Sequence, residues 1–230
     1  MGLTSAVDLL DAVGAVLTPA VGVAASPFPI VAAILVLSSA RPRANGVAFA
    51  AGWLAGLTAI TVLFIALTDG AGEAGSDSAT VFAWLRVLVG VLLLVVAARK
   101  WQARPRPGEE PVVPGWMSGL DTVEPPRAAG IGAALGGANP KNLAFTFAAA
   151  ASIGSLGLEG GDAAVAGAVY VALASASVLA AVGARLVAGA RADAALAGVR
   201  SFMVANNAVI LMVVFLVLGA KVLGDGLAAL

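Results

Sequence analysis

The sequence predicts an all-α polytopic membrane protein with six transmembrane helices arranged as an inverted repeat of three plus three. Three observations support this fold class. Hydrophobic residues make up 60% of the 230 residues and charged residues only 11%, which excludes an ordinary soluble domain. The charges cluster between long apolar runs. Two of those runs are interrupted near their centres by segments that contain proline and polar residues.

The apolar runs define the predicted spans, because crossing a bilayer takes roughly 20 apolar residues. The runs are 12–40, 44–68, 79–98, 128–153, 163–184 and 202–220. A proline-rich segment separates the third run from the fourth, and we interpret it as a cytoplasmic linker with a short interfacial segment at its end. The single membrane domain is thereby divided into residues 1–98, the linker 99–126 and residues 127–230. Each half holds an odd number of spans, so the second half is inverted.

The positions of Lys and Arg predict the orientation. The loops after the first, third and fifth spans carry the basic residues, whereas the opposite loops carry Asp and Glu without Lys or Arg. The positive-inside rule therefore places the basic loops and the linker in the cytoplasm and both termini outside the cytoplasmic (inner) membrane. The N-terminal segment carries Asp8 and Asp11 but no basic region, so we expect the first apolar segment to remain in the mature protein.

Both interrupted runs are predicted to be broken into half-helices. In Ala138-Asn139-Pro140-Lys141-Asn142, an Asn suited to an N-cap precedes a Pro suited to the first helical position. In Ala25-Ser26-Pro27-Phe28-Pro29, Ser26 is the expected cap and Pro27 the first helical residue. Two broken spans at corresponding positions of two halves point to the binding site of a transporter.

Lys141 gives this site its predicted chemistry. A lysine at the centre of a bilayer costs roughly 2.5–3.5 kcal/mol, so it normally faces a cavity, a partner or a substrate. With the N-terminal ends of two half-helices nearby, it predicts a site for a carboxylate, phosphate or sulfate group. The predicted substrate-binding residues are Ser26, Pro27, Pro29, Asn139, Pro140, Lys141 and Asn142. The alternative is that Pro and Asn only kink packed helices and that Lys141 snorkels or bonds a neighbouring carbonyl.

Three polar residues within spans are secondary candidates. Arg86, in the outer third of the third span, is either an interfacial anchor or a residue of anion entry. Asn206 and Asn207 either face the cavity or form hydrogen bonds between helices. The pairs Gly52-x-x-x-Gly56 and Gly132-x-x-x-Gly136 predict close helix packing, within the chain or between chains.

The residue inventory argues against an enzyme. The chain has no Cys and no His, which excludes thiol and imidazole chemistry, and no P-loop or carboxylate pair supports an ATPase or hydrolase. We therefore expect no catalytic residue, no cofactor and no metal. The net charge of zero gives no reason to expect a nucleic-acid partner. No Asp, Glu or His lies deep in a span, so proton coupling would depend on Lys141 itself.

Four segments, taken with their order and spacing, resemble a known family over essentially the whole chain. They are Ser26-Pro27-Phe28-Pro29-Ile30-Val31, Arg41-Pro42-Arg43-Ala44-Asn45-Gly46 running into Gly52-Trp53, the loop with Trp116-Met117 and Asp121, and Asn139-Pro140-Lys141-Asn142-Leu143. The family is the GAP/Sap group, small membrane proteins named for addressing glycopeptidolipid and sulfolipid to the actinobacterial surface and placed with the LysE-type exporter superfamily. The resemblance implies a LysE-like fold, export across the cytoplasmic membrane and lipid delivery beside larger lipid transporters.

Residues and resemblance together predict a secondary exporter, or a flippase-like protein, linked to the export of envelope (glyco)lipids. Its substrate would be an anionic or zwitterionic small molecule or lipid headgroup. The alternative is a non-transporting accessory protein that holds a lipid-export machine through its linker and helix faces. The expected partners are membrane lipid, the anionic ligand, a larger lipid transporter and further copies of the chain.

Overall fold

The computed structural model describes residues 6–69, 76–104, 119–158 and 160–230. Every regular element in these ranges is helical, as the sequence predicts. The helices are α1 (Ala6–Ala24), α2 (Pro27–Leu37), α3 (Pro42–Asp69), α4 (Ser76–Gln102), α5 (Pro125–Gly137), α6 (Pro140–Ser155), α7 (Gly160–Ala188) and α8 (Asp193–Ala228). Short 3₁₀ turns at Leu120–Thr122 and Gly189–Ala192 precede α5 and α8.

The two predicted breaks occur at the expected residues. α2 begins at Pro27 and α6 begins at Pro140, and each proline occupies the first helical position, where its missing N–H costs nothing. α1 and α2 form a bent pair, with an angle of 54° between Val13–Ala24 and Pro27–Leu37. The chain therefore changes direction between these two half-helices within one apolar run.

The close packing predicted from glycine spacing occurs within the chain, between α3 and α5. A side chain at Gly52 or Gly56 would collide with the backbone of Ala129 or Ala133, and one at Gly132 with the Phe49 carbonyl. Because these glycines have no Cβ, the two helix backbones lie against each other along the contact. This contact fixes the first half-helix of the second broken pair against α3.

The remaining helices surround α3 and α5. α4 packs along α8, α7 packs along α1 and α3, and α6 packs against both α1 and α3. The Trp53 indole, fully buried on α3, donates to the Ser175 hydroxyl of α7 at 3.0 Å. Apolar side chains from all eight helices and from the segment before α5 fill one continuous core.

Two segments of the described chain are each long and apolar enough to cross a membrane, Pro42–Thr68 and Ala176–Ala228, and the bent pair Val13–Ala24 with Pro27–Leu37 would be a third. These helices support a membrane protein, whereas the count of six spans and the division into repeats stay predictions. Most of the predicted linker and of its interfacial segment, residues 105–118, lies outside the described residues.

Candidate functional site

The N-terminus of α6 is built by Asn139. Its backbone is extended, with φ −71° and ψ 121°, and its side-chain Oδ1 accepts a hydrogen bond from the Lys141 backbone N–H at 3.0 Å. This is the N-cap arrangement expected of Asn before a first-turn Pro. Pro140 itself is exposed on the surface of the described chain. The cap fixes the start of α6 at Pro140, so Lys141 is the second residue of this helix.

The Lys141 ammonium reaches the other broken pair. Its Nζ donates to the Gly22 carbonyl oxygen at 2.7 Å and lies 5.1 Å from the centre of the Phe145 ring. Gly22 lies in the last turn of α1, whose final carbonyls have no partner within the helix. Lys141 therefore sits at the negative end of the α1 dipole, and the hydrogen bond joins the two breaks across 119 residues.

Phe145 packs closely above this contact. The ring is fully buried, and it stacks on the Phe215 ring with centroids 6.0 Å apart and an interplanar angle of 6°. A Cβ at Gly22 would stand only 2.5 Å from the Phe145 ring, so the glycine is needed for the ring to reach α1. The face of Phe145 and the Gly22 carbonyl together hold the ammonium by cation–π attraction and a hydrogen bond.

The first break, between α1 and α2, has no side-chain cap of its own. Ser26, Pro27 and Pro29 are all buried. Ser26 occupies the predicted N-cap position of α2, but its side chain makes no capping hydrogen bond. The end of α1 instead receives a second distant donor, since the Ser177 hydroxyl on α7 donates to the Ala24 carbonyl at 2.6 Å.

The Asn142 side chain bonds the end of α5, the half-helix before the second break. Its Nδ2 donates to the carbonyls of Leu135 at 2.8 Å and Gly136 at 3.4 Å, in the last turn of α5. The side chain is fully buried, and its Oδ1 has no hydrogen-bond partner. A buried acceptor without a donor is uncommon in a folded protein, and it marks a place where a water molecule or a ligand donor would be stabilised.

A buried hydroxyl chain continues from Asn142. The Thr146 hydroxyl donates to the Asn142 backbone carbonyl at 2.7 Å and lies 2.9 Å from the Tyr170 hydroxyl. Because Thr146 has a single proton, which the carbonyl takes, Tyr170 is the donor of the second bond. Both side chains are fully buried. The chain links α6 to α7 directly beside the second break.

Lys141 has no anionic partner in the described part of the chain. Ion pairs of the described residues include Arg185 with Asp193 at 3.0 Å and Lys221 with Asp225 at 2.7 Å, and neither involves Lys141. The groups that contact the ammonium are a carbonyl and an aromatic ring, which carry no net charge. The ammonium is therefore held by the dipole of a carbonyl and by the face of a ring.

The secondary candidates lie apart from this site. The Arg86 Nη2 donates to the Ala151 carbonyl at 3.0 Å, near the C-terminal end of α6 and ten residues along that helix from Lys141. Asn206 donates to the Phe202 carbonyl of its own helix at 2.9 Å, and the buried Oδ1 of Asn207 has no partner. Their predicted roles, like those of the residues at the two breaks, stay predictions.

Comparison with known proteins identifies the family of the chain. A family profile described as "Sap, sulfolipid-1-addressing protein" matches residues 16–228. The chain belongs to the Sap family. No curated protein and no solved structure matches it. The Sap match spans both helix breaks, Arg86 and the C-terminal helix, so the family assignment covers every residue of the candidate site.

Sequence reasoning for this Sap protein did not find several residues that complete the site, namely Gly22, Phe145, Thr146 and Tyr170. One signal was present, because Lys141 and Phe145 are four residues apart and so share a helix face. Gly22 and Tyr170 carried no comparable signal, since their contacts join helices far apart in sequence. Ser177 carried no such signal either, and its hydroxyl bonds the Ala24 carbonyl of α1, 153 residues away.

Proposed function

We propose that this Sap-family protein is a six-span, non-enzymatic membrane protein that moves an anionic or zwitterionic lipid headgroup across the cytoplasmic membrane, as a secondary exporter or flippase-like step. The observation that carries the proposal is Lys141, a cation placed within the helix bundle whose described contacts carry no negative charge. A charge within a membrane normally has a partner. An anionic group of the substrate would supply it.

The packing of the helices supports an inverted repeat. Matching the breaks pairs α1 with α5, α2 with α6, α3 with α7 and α4 with α8. Under that exchange, the contact of α3 with α5 corresponds to the contact of α7 with α1, and both are observed. The contacts of α4 with α8 and of α3 with α7 map onto themselves, and they are observed as well. Repeats of this kind place their binding site where the broken helices meet.

The orientation follows from the basic residues. Arg41 and Arg43 flank the start of α3, Arg99 and Lys100 lie at the end of α4, and Arg185 lies at the end of α7. With these ends in the cytoplasm, both termini lie outside, and α6 runs outward from Lys141. A headgroup bound at Lys141 would be near the middle of its path.

The name of the family supports a lipid as the cargo, because it associates the family with sulfolipid addressing. A sulfate or phosphate oxygen matches the charge and hydrogen-bonding capacity of a lysine ammonium. The unpaired Asn142 Oδ1 could accept a hydrogen bond from a hydroxyl or ammonium group of the same headgroup. Both features fit a polar lipid with a negative group.

A second candidate function rests on a specific observation. Lys141 and Asn142 each donate to a carbonyl at the end of a preceding half-helix, which satisfies that helix end without any ligand. On this basis the two residues would be structural, and the protein would be an accessory subunit that holds a larger lipid transporter. Such a protein would move no lipid by itself.

A vesicle assay separates the two functions. Purified protein is reconstituted into phosphatidylcholine vesicles containing tail-labelled NBD-phosphatidylglycerol or NBD-phosphatidylcholine, and dithionite quenching measures transbilayer movement with and without a proton gradient. Lys141→Gln keeps a donor for the Gly22 carbonyl but removes the charge, and Lys100→Gln is the matched control. We expect wild type and Lys100→Gln to move at least one probe and Lys141→Gln to move neither.

Two outcomes contradict the proposal. Equal movement by wild type and Lys141→Gln, with both proteins monodisperse and folded, removes Lys141 from the mechanism. No movement by wild type under either condition supports the accessory function instead. In that case, purification from membranes in mild detergent is expected to retain a larger transporter with both the wild type and Lys141→Gln.

A further inference from the structure

A cavity of about 170 Å³ lies between α1, α4, α6 and α8. It is at the end of the bundle opposite the helix ends that we assign to the cytoplasm. Its charged lining residues are Arg86, Lys221 and Asp225, and two serines of α6, Ser152 and Ser155, add hydroxyl groups. Apolar residues line the rest, among them Phe147 and Leu218. The lining thus combines two cations and one carboxylate with an apolar wall.

Arg86 has donors to spare. A guanidinium has five N–H groups, and the described hydrogen bond of Arg86 uses Nη2 for the Ala151 carbonyl. The ion pairs seen among the described residues do not include Arg86, and Asp225, the carboxylate of the lining, is bonded to Lys221 at 2.7 Å. The bond to Ala151 holds the guanidinium at the cavity wall. An oxyanion in the cavity could then accept two parallel hydrogen bonds from the remaining N–H groups.

Lys221 is a second donor in the cavity, and an anion could replace its present partner, Asp225. It forms an i, i+4 ion pair with Asp225 on α8, and the side chains of the two residues are 33% and 47% exposed. Pairs this exposed contribute little free energy. An anion that brings its own charge can therefore share the ammonium, and a cationic group on the same ligand could contact Asp225.

The cavity continues the face that carries Lys141. On α6, Lys141, Phe145, Ala148, Ser152 and Ser155 are spaced to share one face, and the last three line the cavity. The distance from Lys141 to Ala151 along the helix is about 15 Å at 1.5 Å per residue. Phe145, whose ring stacks on Phe215 of α8, lies on this face between Lys141 and Ala148.

We propose that this cavity is a second binding site, specific for an oxyanion such as a sulfate or phosphate group, with Arg86 as its principal ligand and Lys221 as its second. The group could belong to a lipid headgroup or to a free anion, because both present the same oxygens. The site lies beyond the one at Lys141, further along α6. It does not depend on the transport proposal.

Calorimetric titration of the full-length protein in an uncharged detergent tests the site. The probes are inorganic sulfate, inorganic phosphate and the short-chain lipid dihexanoyl phosphatidic acid. We expect Arg86→Gln to weaken binding about tenfold or more, and Arg86→Lys to weaken it less because the charge stays while the two-pronged geometry is lost. Arg127→Gln, at an exposed arginine of α5, is the matched control and is expected to bind as wild type does.

A second variant, Asp225→Asn, tests the role of Lys221. It removes the carboxylate that competes for Lys221, so anion binding should become about threefold tighter or more, whereas loss of a merely structural ion pair would not strengthen binding. Binding of inorganic anions and lipid, or of the lipid alone, supports the site and identifies the source of the group. No binding of any probe, or equal affinity and stoichiometry in wild type and Arg86→Gln, overturns it.

The result of the transport assay does not depend on the result of the anion titration. Anion binding at Arg86 is measured at equilibrium and needs no movement of lipid, and the vesicle assay depends on the charge of Lys141. A protein that binds anions through Arg86 but moves no lipid would leave the second site standing and remove only the exporter function.

Discussion

The break between α1 and α2 depends on distant residues, whereas the break between α5 and α6 is completed largely by its own segment. The end of α1 receives hydrogen bonds from Lys141 and Ser177, which are 119 and 153 residues away. The end of α5 receives its hydrogen bonds from Asn142, at most seven residues away. The second break can therefore form locally, and the first is completed only when the two halves of the chain pack together.

This difference has a functional consequence. Any ligand that draws the Lys141 ammonium away from the Gly22 carbonyl removes a hydrogen bond from the first break and none from the second. Among the described residues, the Ser177 hydroxyl would then be the remaining side-chain donor from another helix at the end of α1. Under the proposed function, anion binding at Lys141 should thus loosen α1 selectively and couple the site to this helix.

The largest expected effect comes from the packing of α5 against α3, with α1 for comparison. Gly132 of α5 lies against the backbone of α3, so Gly132→Val must separate the two helices, and we expect a loss of about 3 kcal/mol in the free energy of unfolding. Gly14→Val in α1 should cost far less, because no atom lies within 4 Å of the added Cβ. Unfolding by SDS in mixed micelles measures both.

Gly130→Val is the control within α5, since a Cβ there also meets open space. Any cost of valine as a helix former is common to the three variants. If Gly130→Val and Gly132→Val destabilise the protein equally, the contact with α3 does not hold α5 in place.

An intermediate effect compares the donors at the two helix ends. Asn142→Leu leaves the Leu135 and Gly136 carbonyls without their side-chain donor, at an expected cost of about 2 kcal/mol. Ser177→Ala removes one of the two donors at the end of α1, and we expect about 1 kcal/mol. The same unfolding measurement applies. A larger loss for Ser177→Ala than for Asn142→Leu would reverse the comparison.

How much of this could be predicted from the sequence depends on the range of the interaction. The half-helix starts at Pro27 and Pro140 and the Asn139 cap were predictable, because N-cap and first-turn preferences act within a few residues. The glycine spacing predicted close packing but could not name α3 and α5 as the partners. The spacing also left open whether the contact lies within one chain.

The partner of Lys141 was not predictable in the same way. The sequence placed a cation at a break and offered two readings, an anion site formed by helix N-termini or a bond to a neighbouring carbonyl. In the structure the ammonium bonds the Gly22 carbonyl at the C-terminal end of α1, a choice fixed by how the two halves dock. The Ser26 cap was predicted by residue type and position, but its hydroxyl forms no capping bond because residue preference does not fix side-chain direction.

The smallest expected effect tests the caps themselves. Asn139→Ala removes the hydrogen bond from the Lys141 N–H to Oδ1, and we expect a loss of about 1 kcal/mol. Ser26→Ala removes a hydroxyl that caps nothing, so its expected cost is about 0.3 kcal/mol or less. Equal losses in SDS unfolding would show that the Ser26 hydroxyl also satisfies a helix end, and the first break would then be as locally built as the second. A loss confined to Asn139→Ala means that the first break has no local cap, so its geometry follows from Pro27 and from the donors that Lys141 and Ser177 bring from the other half of the chain.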